Sequence, residues 1–173
     1  STVDRIDYSN DTPTAVAKGP LTTTLIAGAS TGNQDFGYFG SGENPSFSSK
    51  VDRIDYSNDS ATAVTKGPLT VAKRFRAATG NASFGYFGGG NGVISTVDRI
   101  DYSNDTATAV AKGPLSVSRE GMGATGNASF GYFAGGYPSK STIDRVDYSN
   151  DTATASPKGP LIAANTYNSG NSA

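Results

Sequence analysis

Along VDRIDY, residues 3 to 8, apolar and polar side chains mix with a period of two: Val3, Arg5 and Asp7 fall on one face of an extended segment, Asp4, Ile6 and Tyr8 on the other. Neither face is wholly polar, so the segment reads as a strand covered on both sides. An Arg and an Asp sharing a face can pair within or between copies, and these charges are expected to be structural. Near-copies begin at Val51, Val97 and Ile143, spaced 48, 46 and 46 residues apart. Such a period has to be recognised before the fold is inferred. Each unit offers four extended stretches and no helical period, for example GMGATG (121–126), FGYFAGG (130–136), TIDRVDY (142–148) and TATASPKGPL (152–161). TGNAS (79–83 and 125–129) links the first stretch to the second and SND links the third to the fourth. Both are short, with residues that tolerate a left-handed backbone, so antiparallel hairpins are expected.

Four short antiparallel strands in about 46 residues match the size of a propeller blade, which hides its sheet edges by packing on equivalent neighbours. The succession FGYFGGG (84–90), VDRIDYSNDTAT (97–108) and KGPL (112–115), followed by Arg119, Gly121 and GAT (123–125), resembles the kelch repeat. The resemblance covers nearly the whole chain and implies an all-β fold, a small β-propeller of kelch-like four-stranded blades. It departs at Ala107, where kelch repeats carry a Trp, and the chain has no Trp anywhere. Thinner packing between blades is expected, compensated by fewer or closer blades or by Phe and Tyr of FGYF. The wording is also similar to repetitive virion-associated, tail- or fibre-like proteins of marine bacteriophages.

Residues 1–173 read as a single repeat domain of about four blades. Residues 1–21 supply the last two strands of one blade, three complete blades follow, and NTYNSGNSA (165–173) supplies one more first strand. The ends are expected to meet in one incomplete blade lacking its second strand. That slot suits an added strand from another chain, or else the chain forms an open, stackable arc. Ser1 falls inside a unit, so the chain is expected to be a processed or cut piece of something longer.

Two stretches differ among otherwise near-identical units. Four to seven residues past the Leu of each GPL or KGPL stand Leu25 to Gly28, Lys73 to Arg76, Arg119 to Met122 and Asn165 to Asn168. The segments SGENPSFSSK (41–50), GGNGVIST (89–96) and GGYPSKST (135–142) vary as well. In an up-and-down blade both sets of connections lie on one rim, and TGNAS and YSND on the other. Variable loops on a rigid scaffold suit recognition, so Lys73, Arg74, Phe75, Arg76, Arg119, Tyr137 and Tyr167 are the candidate partner contacts. Loops free of packing constraints would also diverge by drift.

Composition narrows the classes. Low hydrophobic (35%) and charged (17%) fractions with 22 Gly fit strands and turns. A net charge of -1 leaves no electrostatic footprint for nucleic acid. No apolar run is long enough for a membrane helix, and membrane insertion is not expected. Cys and His are both absent, which removes thiolate ligands, the commonest metal ligand and the usual general base. DYSND (7–11) has oxygen ligands that calcium favours but lacks EF-hand spacing, and an Asx turn explains it. FGGGNG (87–92) lacks the Lys-Ser/Thr and helix of a phosphate loop. Asn81 and Asn127 stand in NAS sequons that also read as turns. No metal and no cofactor is expected.

The two Glu residues, Glu43 and Glu120, occupy nonequivalent positions, and the Asp residues recur in every unit, whereas catalytic pairs break such symmetry. The chain is thus expected to be no enzyme. It reads as a structural or adhesion module, virion-associated or extracellular, that is expected to bind a host-surface glycan or a virion protein through the variable rim and to self-associate through the incomplete blade. A carbohydrate-active enzyme of kelch type and a self-assembling filament subunit are the alternatives.

Overall fold

The computed structural model describes residues 1–170. The chain is all-β, with one two-stranded and three four-stranded antiparallel sheets. β1 (Val3–Arg5) and β2 (Val16–Lys18) form the first. β3 (Ala29–Gly32), β4 (Phe36–Gly40), β5 (Val51–Asp55) and β6 (Val64–Lys66) form the second. β7 (Ala77–Gly80), β8 (Phe84–Gly88), β9 (Val97–Asp101) and β10 (Val110–Lys112) form the third. β11 (Gly123–Gly126), β12 (Phe130–Ala134), β13 (Ile143–Asp147) and β14 (Ser156–Lys158) form the fourth. Register recurs from sheet to sheet: Tyr38, Tyr86 and Tyr132 oppose Arg53, Arg99 and Arg145. Equivalent sequence makes equivalent hairpins.

The turns differ from expectation in one respect. In TGNAS-type connections Asn33, Asn81 and Asn127 accept hydrogen bonds from backbone N–H groups two and three residues on, at 2.8 to 2.9 Å, with no left-handed residue in the turn. In the third-to-fourth connection, Asp55, Asp101 and Asp147 each accept the N–H of the Ser two residues on and cap a single 3-10 turn. The fourth strand is also shorter than TATASPKGPL suggested. Its approach is drawn sideways, because Ala155 N–H donates to Pro114 C=O of the preceding sheet at 2.8 Å.

The core lies between successive sheets. Tyr38, Val51 and Leu69 meet Phe87, Ile100 and Ala109; Tyr86, Val97 and Leu115 meet Phe133, Val146, Tyr148 and Ala155. These rings fill the space for which the sequence provides no Trp. Gly88 shows why a strand ends in glycine: a Cβ there would stand 2.7 Å from the Phe133 ring of the next sheet.

Each joint repeats one set of polar contacts. Tyr86 stacks on Tyr148 at 4.7 Å, and its hydroxyl donates to Asp151 at 2.9 Å. Arg99 and Lys112 pair with the same carboxylate at 2.7 and 3.2 Å. Gly113 N–H donates to Asp151 C=O at 2.8 Å. One joint earlier Tyr38, Tyr102, Asp105, Arg53, Lys66 and Gly67 repeat this constellation. Arg5, Lys18 and Gly19 make its polar part with Asp59. The recurring Arg and Lys are thus inter-sheet ties, and the Asp they meet belongs to SND rather than to VDRID.

Burial pushes the Asp105 carboxyl up, but hydrogen bonds from Tyr38 and Lys66 and the Arg53 charge outweigh it and hold the group below 3.8. Asp59 is also lowered, chiefly by the Lys18 hydrogen bond. A lowered folded-state pKa contributes stability that is present above the unfolded value and lost as pH falls through the folded one. Thermal melts should hold steady down to about pH 5 and fall below about pH 4. A melting temperature unchanged at about pH 2 would contradict this role for Asp59 and Asp105.

β3, β7 and β11 lie side by side in that order. Ser30, Thr31, Thr79, Ala124, Thr125 and Gly170 are among the residues lining the cavity of about 190 Å³ between them. Residues Ser169 and Gly170 follow β11 closely at Gly123 and Ala124. The expected meeting of the chain ends is not among the pairings of the described residues, where β1 and β2 pair only with each other. Residues 171–173 of the expected strand 165–173 lie outside the described residues.

Candidate functional site

The connections that vary in sequence pack against one another. Ile26 bridges Glu43 and Glu120 bridges Tyr137, each pairing a loop that enters a sheet with the one that crosses between its middle strands, and Lys140, in the crossing between β12 and β13, bridges Asn165 in the stretch that follows β14. In the remaining pair Asn91 N–H donates to Arg74 C=O at 2.8 Å. Members of the two loop sets therefore pack against each other.

Backbone geometry organises this surface. Ala27, Phe75, Gly121 and Tyr167, each six residues past the Leu, all adopt left-handed φ, from 54° to 60°. Phe75 N–H donates to Ala27 C=O at 3.0 Å, Gly121 N–H to Phe75 C=O at 2.9 Å, and Asn168 N–H to Gly121 C=O at 3.2 Å. The loops are thereby tied hand to hand. Left-handed φ is costly for a side chain such as Phe or Tyr, and such strain is held only where surroundings over-determine it. Here the supporting feature is the absence of a side chain at Gly121, where a Cβ would stand 2.7 Å from the Tyr167 ring. Phe75 and Tyr167 then meet edge to face across it at 5.5 Å.

Arg74 extends this aromatic pair. Its guanidinium lies 4.6 Å from the Phe75 ring centre and 5.6 Å from that of Phe47, and it pairs with Glu43. Phe47 and Tyr167 are 42% and 60% exposed, which leaves a continuous Arg-aromatic patch facing solvent. Tyr137, 48% exposed, flanks it through its bridge to Glu120. Lys73 is half-buried, and its carbonyl ties the neighbouring loop by accepting from Gly42 N–H at 2.8 Å.

Two candidate contacts turn inward. Arg76 donates to Asp98 at 2.8 Å and Arg119 to Asp144 at 2.7 Å, with all four side chains fully buried. Arg119 also reaches the carbonyls of Gly135, Thr142 and Phe133. Burial pulls both guanidinium pKa values down, and the partner carboxylates oppose it. Variation at these positions reflects different ways of reaching the same buried Asp from the connecting loop, not display to a partner.

Sequence comparison missed Phe47 and Glu43. Both stand in SGENPSFSSK, whose divergence was visible but whose reach toward Arg74 was not. Among the described residues no three acidic side chains are grouped to hold a metal. No helix among them is long and apolar enough to cross a membrane. Comparison with protein-family models and with curated proteins finds no match.

Proposed function

We propose that the four sheets are blades of a small kelch-like propeller, one of them incomplete, and that the chain is a noncatalytic adhesion module of a virion or cell surface. Its loop rim binds a host-surface glycan or a virion protein. The observation that carries this reading is the cluster of exposed Phe47 and Tyr167 with half-buried Arg74 and Phe75, assembled by loops from different units, beside Tyr137. Aromatic faces suit the apolar faces of sugar rings, and a guanidinium next to them supplies planar donors for hydroxyl or carboxylate groups. The near-symmetric cavity favours binding over catalysis. Equivalent threonines line it, and a glycosidase would need two unequal carboxylates there.

A panel of surface polysaccharides and virion proteins tests the reading. Arg74→Ala and Tyr167→Ala are expected to weaken capture of the bound member by ~10-fold or more each. Circular dichroism should be unchanged. Binding that ignores both substitutions, or a panel with no bound member, would remove the adhesion role.

A further inference from the structure

The two ends of the array carry the two halves of a joint that the chain makes repeatedly inside itself. In each joint between four-stranded sheets, a Tyr, an Arg, a Lys and a Gly N–H of one sheet meet a Tyr and an Asp of the next. On the last sheet the donor half consists of Tyr132, Arg145, Lys158 and Gly159. Among the described residues no carboxylate pairs with Arg145 or Lys158; Arg145 only lies over its own sheet's Phe130, at 4.3 Å. On the first sheet the acceptor half consists of Tyr8 and Asp11, with Ile6 where Ile100 and Val146 fill the core. Tyr8 is 95% exposed and Ile6 58%, while Ile100 and Val146 are each 3% exposed.

Gly159 registers the same vacant partnership. A Cβ on Gly19, Gly67 or Gly113 would stand 1.8 Å from the carbonyl oxygen of Ala61, Ala107 or Ala153 in the next sheet, whereas one on Gly159 meets nothing within 4 Å. The geometry points to head-to-tail association of two copies of this chain, in which Tyr132, Arg145, Lys158 and Gly159 of one receive Tyr8 and Asp11 of the other. The polar groups are complementary, since both halves repeat residues that already meet inside the chain, although the two-stranded first sheet brings no counterpart of Phe87 or Phe133. The two halves do not meet each other, Tyr8 being almost fully in solvent, and a second copy offers the complementary half. One internal contact is lost in the copy: Thr22, Thr70 and Ser116 place a hydroxyl on Asp52, Asp98 and Asp144, but Ile162 occupies the fourth position. Such a contact is heterologous and propagates, giving a ring if its rotation closes and a filament if it does not. This inference is independent of what the loop rim binds.

Sedimentation of the full chain over about 1 µM to 1 mM should show mass increasing with concentration, because association must overcome the lost freedom of two bodies. Gly159→Ala, which leaves the single chain's contacts untouched, and Asp11→Arg at the other end should each raise the apparent dissociation constant by ~10-fold or more. Each variant keeps one intact half, so an equimolar mixture should form a species of two chains and stop there. A wild type that stays monomeric throughout overturns the proposal, whether the ends close on themselves or remain free. Association unaffected by both substitutions, or a mixture that does not pair, overturns it as well.

Discussion

Gly113→Ala is expected to lower the melting temperature by about 10 °C, corresponding to about 3 kcal/mol. The new Cβ would stand 1.8 Å from Ala153 O and 2.4 Å from Ala153 C, both backbone atoms that no rotamer change can move. Relief requires the last two sheets to separate where Gly113 N–H meets Asp151 C=O at 2.8 Å and Ala155 N–H meets Pro114 C=O at 2.8 Å. Loss should therefore concentrate at this joint, because the stability of stacked units is a sum of unit and neighbour terms. Hydrogen exchange in β11 to β14 should accelerate more than in β3 to β6. Gly159→Ala is the matched control. With open space around its Cβ, dilute protein should melt within about 0.5 kcal/mol of wild type. Equal destabilisation by the two substitutions would show that glycine acts here through backbone freedom and not through close approach.

Arg119→Met is the second substitution with a large expected effect, about 3 to 5 kcal/mol, because it leaves Asp144 charged and buried without its cation. Asp144 keeps hydrogen bonds from Ser116 N–H and hydroxyl, at 3.0 and 2.5 Å, which cannot neutralise it. The carbonyls of Gly135, Thr142 and Phe133 lose their shared donor in the same step. Chemical denaturation should register the loss as a lower midpoint with an unchanged slope. Adding Asp144→Asn should recover at least about half, since a neutral amide oxygen still accepts from Ser116 and no charge remains to be desolvated. No recovery in the double variant would mean that the missing carbonyl donor dominates, and the carboxylate charge matters little.

The strand plan was legible because each level of the sequence agrees with the others. Alternation in VDRID, aromatic residues in FGYF and Asn or Asp at the turns all specify short hairpins, and β4, β5, β8, β9, β12 and β13 stand where that agreement was strongest. The fourth strand was over-read in TATASPKGPL, since Ala153 N–H bonds back to Asn150 C=O in its own turn and Ala155 N–H bonds to Pro114 C=O of the preceding unit, a competition that no local pattern records. The left-handed residues were misplaced for a similar reason. Asn can serve a turn through its side chain with ordinary φ, while Phe75 and Tyr167 are held left-handed by neighbours far away in sequence.

For the candidate site, divergence among units located the loops, and bridges join members of the two loop sets to each other. Divergence could not tell an exposed Arg from a buried one. Arg74 and Arg76 stand two residues apart in one loop, yet one lies over Phe47 and Phe75 and the other pairs with Asp98 in the interior.

By itself the sequence determined an all-β chain of recurring hairpins with irregular connections collected together, because period, turn chemistry and alternation act over a few residues and need no distant partner. Only the tertiary structure decided which charges tie sheets together and which face solvent. It also decided that Tyr8 and Ile6 face solvent while their counterparts Tyr148 and Val146 are buried. Those outcomes depend on what stands within a few ångströms of a side chain from a unit about 46 residues away, and nearly identical units give no local hint of which neighbour each will have.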